Sequence, residues 1–436
     1  MKKYDTIIAG GGPSGMTAAL CCAKEGQRVL LIDRCDRVGR KILVTGNGRC
    51  NLTNMYQEAG CYRGEAPEQM KRVLSSFGLA DALTFFHRLG ICTRDKNGYI
   101  YPYNEQAASV REAFESALLA RKSLDILTET SVTGMENTKE GFVVDTEHAG
   151  DKPSRQQDNQ MSGHKKQRFY CRSLIIATGG FAGVKLGCDG SGYEMAGKLG
   201  HHIIKPLPAL TALRSSAPFM KKLSGVRNQA VLTLLVEEQE CAREQGELQW
   251  TDYGVSGVAV FQLSRFAILA LEEGKRVRLS LDFLPEKAEE ETVELLRELS
   301  RCCGYKTGTE LLDGILPAKL TPVLLREAAV DEKKKASRWD EKEIRRLASA
   351  LKAFSLRISG YVGYEKAQVT RGGVDLRELT GQLESVICPG LFFAGEVLDV
   401  DGTCGGYNLQ WAFSSGSVAG KAAYERNRRM DSEGIV

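Results

Sequence analysis

The stretch that decides the fold is residues 4–15, which read YDTIIAGGGPSG. Residues 4–9 form a short β-rich run that leads into glycines of the pattern G-x-G-x-x-G. Residues 13–24 then have helical spacing, and residues 28–33 predict a second strand. This β-α-β unit predicts a doubly wound α/β domain that binds a dinucleotide.

Each glycine of the pattern has a physical reason. Gly10 permits the tight turn, Gly12 lets the backbone approach a pyrophosphate, and Gly15 lets the helix pack closely on the sheet. The diphosphate then lies against free N–H groups at the positive end of the helix. Asp33 follows 18 residues after Gly15, where it accepts hydrogen bonds from ribose hydroxyls and disfavours a 2′-phosphate.

A segment near the other end of the chain favours FAD over NAD at this site. Residues 391–396 read LFFAGE, a strand that ends in Gly395 and Glu396. A carboxylate at this place can bind the ribityl hydroxyls of an extended flavin nucleotide. A helix that starts near Asn408 would direct its N–H groups at the pyrimidine edge of the flavin, where negative charge develops on reduction.

Composition bounds the functional class. The 436 residues are 42% hydrophobic and 26% charged, with a net charge of +4, so we expect no nucleic-acid footprint. No secretory leader or membrane span is apparent. The 13 cysteines are expected to be free thiols of a cytoplasmic protein, and no metal site is expected. The sequence gives no prediction of oligomeric state.

The patterns divide the chain into a domain built from both ends and an insert. We predict a glutathione-reductase-type, Rossmann-like FAD-binding domain from residues 1–204 and 356–436. A β-rich insert over 205–282 and a helical insert over 283–355 would together form a substrate-side cap. Residues 149–168 are polar and without periodicity, which predicts an exposed hairpin excursion.

Three stretches carry a family resemblance: GRKILVTGNGRCNLTN at 39–54, VTRGGV at 369–374, and the segment 395–409. They resemble the bacterial NAD(P)/FAD-dependent oxidoreductases of the YhiN type, a family that includes bile-acid enone reductases. The similarity covers essentially the whole chain, since residues 246–248 and 253–257 of the insert are also similar to the family pattern.

The resemblance implies a set of FAD contacts from several segments. They are Ser14, Asp33, Arg34, Lys41, Asn47, Val132, Glu396, Asn408 and Leu409. Arg40 and Lys41 have an independent rationale, because cations near a diphosphate offset its charge. Asn47, Asn51 and Asn54 tolerate the turns of a glycine-rich loop and can also donate to flavin carbonyls; a purely structural role stays open for each.

A narrower resemblance points to the reaction. ATGGF at 177–181, which includes the candidate cofactor contact Gly179, and DGSGYEMA at 189–196 look like the flavin subunits of fumarate reductases and ketosteroid dehydrogenases. Those enzymes add or remove hydrogen across a C–C bond next to a carbonyl. The glycines would let the chain run close to the cofactor.

The source of the proton is less well specified. Tyr407 and Cys404 are the candidate catalytic acids, because they precede or begin the helix that faces the flavin; each also has an ordinary packing or turn role. Asp399 and Asp401 lie in the same loop and share this ambiguity. His201 and His202 are better explained by strand capping or a surface role. Arg214, Arg265 and Arg357 could meet a substrate carboxylate, but such arginines more often form surface ion pairs.

The predicted reaction is hydride transfer from reduced flavin to the β-carbon of an enone, with protonation at the α-carbon. A 3-oxo-Δ4 or Δ4,6 steroid of the bile-acid type is the substrate that the resemblance implies. NADH or NADPH would be a transient electron donor, because no second G-x-G-x-x-G exists to hold one. Alternatives are a flavin-dependent hydroxylase and a flavoprotein that acts on RNA or a protein partner.

Overall fold

The computed structural model describes residues 1–148 and 166–433, which form two compact units. The first unit consists of the described residues up to 207 and from 369 onward, and the second of residues 208–368. The hairpin excursion predicted at 149–168 lies outside the described residues, except that 166–168 begin a strand.

The first unit opens with alternating strands and helices. Its strands up to the chain crossing are β1 Lys2–Ala9, β2 Val29–Ile32, β3 Thr53–Asn54, β4 Tyr62–Arg63, β5 Thr93–Lys96, β6 Tyr99–Pro102, β7 Leu124–Leu127, β8 Thr130–Thr138, β9 Gly141–His148, β10 Lys166–Ile176 and β11 Ile203–Ala209. Its helices there are α1 Pro13–Cys22, α2 Pro67–Ser76, α3 Leu79–Arg88, α4 Ala107–Leu119 and α5 Ser191–Lys198.

The second unit then supplies its own strands and helices. The strands are β12 Leu213–Arg214, β13 Arg227–Val236, β14 Gln239–Trp250, β15 Gly254–Ser256, β16 Val277–Asp282, β17 Phe354–Ile358 and β18 Gly360–Tyr361. The helices are α6 Met220–Leu223, α7 Val258–Glu272, α8 Glu289–Cys302, α9 Gly308–Leu312, α10 Thr321–Glu327 and α11 Glu341–Lys352. The chain returns to the first unit through β19 Val369–Val374, β20 Leu391–Phe393, β21 Asp401–Gly402 and α12 Tyr407–Ser432.

A mainly parallel sheet forms the centre of the first unit. The order is β7-β2-β1-β10, all parallel, and β20 pairs in parallel with the end of β10. The first half of β10 continues into an antiparallel meander with β9 and β8. All four residues of β2, VLLI, are buried, as expected of a parallel strand covered on both faces. The predicted doubly wound, Rossmann-like fold class with an inserted β-rich and helical part is confirmed.

Two helices lie against each other at the sheet. A side chain on Gly416 of α12 would approach the backbone carbonyl oxygen of Ser14 in α1 to 2.3 Å, and one on Gly420 would approach the backbone carbonyl oxygen of Ala18 to 2.6 Å. This close packing brings the N-terminal end of α1 next to the last helix of the chain. The carboxyl ends of β1, β2, β10 and β20 therefore meet at one edge, where doubly wound folds bind ligands.

The second unit is an antiparallel sheet with helices on its own hydrophobic core. The sheet order is β17-β16-β13-β14-β15-β12-β18. In β16, buried and half-buried residues alternate, which is the pattern of a strand with one face on the core. Buried core residues from the strands and from α7, α8, α10 and α11 belong to a single cluster.

The unit boundaries differ from the predicted ones. The chain enters the second unit at residue 208 rather than 205, and residues 356–368 belong to that unit rather than to the FAD-binding domain. The reason is long-range pairing: β17 pairs with β16, and β18 pairs with β12. Strands β12–β16 precede helices α8–α11, but α6 and α7 also lie within 205–282 and β17 returns to the sheet after the helices.

Within residues 1–148 and 166–433, no helix is long and apolar enough to cross a membrane. The 13 cysteines all fall in these ranges and are free thiols.

Candidate functional site

The glycines of the turn between β1 and α1 have two different roles. Gly10 has a φ of 108°, and a side chain on Gly15 would lie 1.8 Å from the Gly10 oxygen. Gly12 has a φ of −72°, and apart from Gly12 and its chain neighbours no atom of the described residues lies within 4 Å of the place a Cβ would take. Gly10 and Gly15 are therefore required by the chain itself, whereas Gly12 faces open space in which a ligand can approach the backbone.

Asp33 follows β2, and backbone N–H groups from two segments hold its carboxylate. The Gly11 N–H donates to Oδ2 at 2.6 Å, and the Cys35 N–H donates to Oδ1 at 2.7 Å. Burial raises the pKa of this carboxyl, and the two hydrogen bonds oppose the rise. Each oxygen keeps a second lone pair, so the predicted contact with ribose hydroxyls is chemically open.

A pocket of about 570 Å³ brings together two of the predicted cationic contacts. Arg34 and Arg40 both line it, together with Lys185. Arg34 forms an ion pair with Asp189, and Arg40 Nη1 lies 3.9 Å from Asp36 Oδ1. The lining has four basic residues and the two acidic residues Asp36 and Glu129, so its net charge is positive, which favours an anionic ligand.

Val132 lies in β8, half-buried, opposite Thr146 of β9. It does not line the pocket beside Arg34. Its strand is tied to the end of β2, because the Thr130 N–H donates to the Asp33 carbonyl at 3.0 Å. The adenine contact expected at Val132 stays a prediction.

Lys41 and Glu396, 355 residues apart, form an ion pair. Lys41 Nζ lies 2.6 Å from Glu396 Oε2 and also donates to the Ala182 carbonyl at 3.1 Å. Burial alone would lower the pKa of Lys41, but Glu396 and Cys188 reverse this, and the pKa is raised. The two predicted cofactor contacts therefore form one charged unit, 22% and 18% exposed.

Thr370 organises the segments around this ion pair. Its N–H donates to Glu396 Oε1 at 3.0 Å, and its hydroxyl accepts from the N–H groups of Phe181 and Ala182 at 2.9 and 3.0 Å. Thr370 was not among the site residues predicted from the sequence. Thr370 does lie in the VTRGGV stretch that carries the family resemblance. The stretch alone does not show that Thr370 is the residue that joins this segment to the segments of Glu396 and of Phe181 and Ala182.

Gly179 follows β10 and lies close to Cys188. It has a φ of 75°, and a side chain there would approach the Cys188 sulfur to 3.1 Å. Burial raises the pKa of the Cys188 thiol to about 11, although Lys41 opposes the rise. Next to Gly179, the buried Oγ1 of Thr178 has no hydrogen-bond partner among the described residues.

Ser14 and Gly395 meet where α1 and α12 come together. A side chain on Gly395 would collide with Ser14 Oγ at 2.3 Å. The Gly395 N–H donates to Ser415 Oγ at 2.9 Å, and Trp411 Nε1 donates to the Gly395 carbonyl at 3.2 Å. The last helix therefore fixes the backbone that precedes Glu396, a role of Ser415 and Trp411 that the sequence patterns did not reveal.

The asparagines of the glycine-rich loop have different surroundings. Asn47 is exposed and has a φ of 55°, in the left-handed region that asparagine tolerates. Asn54 is structural, because its Nδ2 donates to the Gly405 carbonyl at 3.1 Å and its Oδ1 accepts from the Tyr56 N–H at 2.9 Å. Asn51 Oδ1 is buried and has no hydrogen-bond partner among the described residues.

The N-terminus of α12 is built on a pair of glycines. Gly405 and Gly406 have φ values of 131° and 94°, and no side chain caps the helix. The Asn408 side chain accepts from the Gly402 N–H at 2.7 Å and donates to the Gly402 carbonyl at 2.9 Å. Asn408 and the half-buried Leu409 can therefore offer their backbone N–H groups to a ligand, whereas the Asn408 amide is occupied.

The candidate acids in this loop differ in accessibility. Tyr407 is 5% exposed, and its ring packs edge-on against Tyr62 with centroids 5.6 Å apart. Burial raises the pKa of Tyr407, and an interaction with Cys61 adds to the rise. Cys404 is partly exposed, whereas Asp399 is buried and accepts from the Glu65 N–H at 2.7 Å. Of these, Cys404 is the more accessible.

His201 and His202 both interact with side chains of the first unit. His201 is buried, with Nδ1 3.0 Å from Glu378 Oε2 and Nε2 2.8 Å from Ser385 Oγ. Burial lowers its pKa, although Glu378 opposes the effect. His202 is exposed, and its Nδ1 lies 3.3 Å from Asp375 Oδ2. These contacts agree with structural roles.

The residues present fit an FAD molecule on three observations. Gly12 leaves the backbone open, and α1 and α12 each follow a glycine N-cap that has no side chain to cap the helix, so the first N–H groups of both helices lack partners within the helix. Thr178 Oγ1 and Asn51 Oδ1 are buried polar atoms without partners among the described residues, as expected where a polar ligand completes the hydrogen bonding. Within the same residues, no cluster of His, Cys, Asp or Glu suits a metal ion.

Comparison with known proteins matches the whole chain. The family described as HI0933-like protein Rossmann domain matches residues 4–422. The 3-dehydro-bile acid delta(4,6)-reductase of Clostridium scindens is 40% identical over 422 residues, covering 96% of this chain and 98% of that protein. The ribosomal RNA dihydrouridine synthase of Escherichia coli is 30% identical over 417 residues, covering 95% of this chain and 96% of that protein.

A solved structure is similar over the full length of the chain. It is a variant of the E. coli quinol fumarate reductase subunit FrdA, with a TM-score of 0.50 and 13% sequence identity. The match covers 100% of this chain and 74% of that chain. At this identity the similarity concerns the fold alone.

Proposed function

We propose that this chain, which belongs to the HI0933-like protein Rossmann domain family, is an FAD-dependent oxidoreductase that reduces a C=C bond conjugated to a ketone. The observation that carries the proposal is the relative with 40% identity over 96% of the chain, whose name specifies a bile-acid Δ4,6-reductase. Support from the site comes from the open backbone at Gly12 and the two uncapped helix N-termini.

The chain's own residues would hold FAD along the carboxyl edge of the sheet. Gly12 and the N-terminus of α1 would receive the diphosphate, and Asp33 would accept from the adenosine ribose. The Lys41–Glu396 ion pair would contribute a carboxylate for the ribityl hydroxyls and a cation for nearby phosphate charge. When bound, FAD supplies a hydride from its reduced ring to an electrophilic carbon.

The N-terminus of α12 would stabilise charge at the flavin end of the site. Its N–H groups at Asn408 and Leu409 carry the positive end of the helix dipole, worth about 0.3–1 kcal/mol toward a nearby anion. The Asn408 side chain keeps the preceding turn in place through its two bonds to Gly402. The site would thereby favour a flavin that has gained negative charge.

A proton must also reach the α-carbon of the substrate. Cys404 and Tyr407 stay the proposed acids, and the partial exposure of Cys404 makes it the more accessible of the two. Tyr407, buried against Tyr62, would need a path to the substrate for its hydroxyl. Water in place of a side chain is compatible with the same product.

The substrate we propose is a 3-oxo-Δ4 or 3-oxo-Δ4,6 steroid acid, and the donor is NADH or NADPH. The name of the C. scindens relative refers to double bonds at these positions of a 3-dehydro-bile acid. The sequence has one G-x-G-x-x-G, at residues 10–15, which we assign to FAD. A nicotinamide donor would therefore bind transiently.

A second candidate is reduction of uridine in RNA, favoured by the relative of 30% identity that is named a ribosomal RNA dihydrouridine synthase. The 5,6 double bond of uracil is also conjugated to a carbonyl, so the same flavin chemistry applies. The near-neutral net charge of +4 over 436 residues argues against an extended phosphate-binding surface, and we rank this candidate second.

Anaerobic stopped-flow spectroscopy tests the proposal. The holoenzyme is reduced with NADH or NADPH and then mixed with a 3-oxo-Δ4 steroid acid, its saturated 3-oxo analogue, or a uridine-containing rRNA fragment. We expect the steroid enone to reoxidise the flavin at least about 100-fold faster than the saturated ketone, because only the enone has an electrophilic β-carbon; this ratio corresponds to about 2.7 kcal/mol. Free FAD is the control.

Equal rates with the enone and the saturated ketone would refute enone reduction. Reoxidation by the RNA fragment, with dihydrouridine as product and none from the steroid, would replace the first candidate by the second. A purified protein that is colourless and cannot be reconstituted with FAD would refute both.

A further inference from the structure

Two cations in the second unit converge on one tyrosine ring. The Arg214 guanidinium lies 5.5 Å from the centroid of Tyr253, and Lys366 Nζ lies 5.2 Å from the same centroid. Both cations are exposed, and Tyr253 is half-buried. Cation–π attraction holds each cation near the ring, so positive charge is concentrated at one place on the surface of this unit.

The sheet fixes Arg214, and a glycine lies opposite it on each neighbouring strand. Arg214 is the second residue of β12, which pairs with β15 on one side and β18 on the other. Its cross-strand partners are Gly254 and Gly360, so neither neighbour has a side chain to cover it. Arg214 Nε also donates to the Tyr361 carbonyl at 3.1 Å, which orients the guanidinium.

These cations have no acidic partner within the part of the chain that the structure describes. Neither Arg214 nor Lys366 forms an ion pair with a carboxylate there, unlike the exposed Arg227 of the same sheet, which pairs with Glu247 at 3.1 Å. Arginine binds carboxylates through paired hydrogen bonds, and lysine adds a point charge. A small anionic group is the ligand that this arrangement suits.

We propose that Arg214, Lys366 and Tyr253 form a carboxylate-binding site in the second unit, which takes the acid group of a steroid acid. The choice of a steroid acid as the ligand rests on the proposed function. A single carboxylate needs no more than the two cations around this ring, whereas an RNA backbone would need a longer row of cations. The site would select acids over the corresponding neutral steroids.

The test is isothermal titration calorimetry on the holoenzyme with a saturated 3-oxo C24 steroid acid and with the matching C24 alcohol. Neither probe has a double bond to reduce. We expect the acid to bind about 10-fold more tightly than the alcohol, the effect of one charge-assisted contact. Arg214→Gln and Lys366→Met should each lower this preference below about 3-fold and leave the affinity for the alcohol unchanged.

Arg227→Gln is the matched control, because it removes an exposed arginine of the same sheet that already has a carboxylate partner. It should leave the preference for the acid intact. Equal affinities for acid and alcohol in the unaltered protein would overturn the proposal. So would a preference that survives in the Arg214→Gln/Lys366→Met double variant, or tighter binding of a uridine oligonucleotide that these substitutions abolish.

The two proposals can fail separately. If the enone is reduced but the calorimetric affinities for the acid and the alcohol are equal, the carboxylate site is wrong and the proposed function stands. If no enone is reduced but the calorimetric preference for the acid disappears in the two variants, the site stands and the reaction is wrong.

Discussion

The two units place their informative residues differently. In the first unit, β2 is buried at all four positions, so polar residues with a role are confined to the strand ends, as Asp33 shows. In the second unit, β16 alternates buried and half-buried residues, and an antiparallel sheet of this kind has an open face that can carry polar side chains such as Arg214. A parallel sheet therefore concentrates its site at one edge, whereas an antiparallel sheet distributes candidate contacts along its strands.

Substitutions in the two units are therefore expected to have different effects. Substitutions at the strand ends of the first unit should change flavin content, and substitutions in the second unit should change substrate preference with flavin retained.

The largest effect is expected from a matched pair of core truncations. Leu174→Ala in β10 and Leu263→Ala in α7 both remove fully buried side chains, one from each unit. Each should lower the free energy of unfolding by about 2–5 kcal/mol. In a thermal scan with flavin fluorescence, Leu174→Ala should release FAD at a lower temperature than the unaltered protein. Leu263→Ala should keep an unchanged FAD stoichiometry at 20 °C. Loss of FAD from the folded Leu263→Ala variant would break the comparison.

An intermediate effect is expected at Gly12. Because its Cβ direction is open and its φ is negative, Gly12→Val should fold normally. The added side chain would crowd the diphosphate at a cost of about 1–3 kcal/mol, a roughly 5- to 150-fold weaker FAD affinity. Reconstitution of the apoprotein with FAD measures this directly.

Gly381→Val is the control for that substitution, because Gly381 also has open space around its Cβ direction and no positive φ. It should retain full FAD affinity. If Gly12→Val binds FAD as tightly as the unaltered protein, the diphosphate does not bind at this turn.

A smaller effect is expected from the Lys41–Glu396 pair. Lys41→Met or Glu396→Gln leaves one partly buried charge without its partner, and partial exposure limits the cost to about 1–2 kcal/mol. Flavin content after dialysis should fall in both variants. The double variant should lose less than the sum of the two single losses, since neither charge is then left alone. Strictly additive losses would show that the pair does not act as a unit.

Local patterns were sufficient for the fold class and the family, and both predictions are confirmed. The fingerprint at 10–15 works because strand, turn and helix are contiguous in sequence. The Glu396–Thr370–Lys41 arrangement could not be derived in this way, because it joins segments that are far apart in the chain. The end of the insert was misplaced for the same reason, since β17 is assigned by its pairing with β16 rather than by its own pattern.

The predicted site residues show the same difference between roles set by local sequence and roles set by contacts with distant segments. Gly10 and Gly15 have steric reasons that the structure makes explicit, and Gly12 has space for a ligand. At Asn408 the residue was expected to contact FAD, and its side chain instead binds Gly402, so only its backbone N–H is available. The roles of the predicted cofactor contacts and of Tyr407 and Cys404 stay predictions.

The most direct test of the central claim is the structure of the product. A 3-oxo-Δ4 steroid acid is incubated anaerobically with the holoenzyme and NADH or NADPH in D₂O, and the product is analysed by NMR and mass spectrometry. The account predicts a saturated steroid that keeps its 3-oxo group and carries solvent deuterium at C4, the carbon next to the ketone. A 3-hydroxy steroid with the double bond intact, or a hydroxylated product that forms only in the presence of O₂, would contradict it.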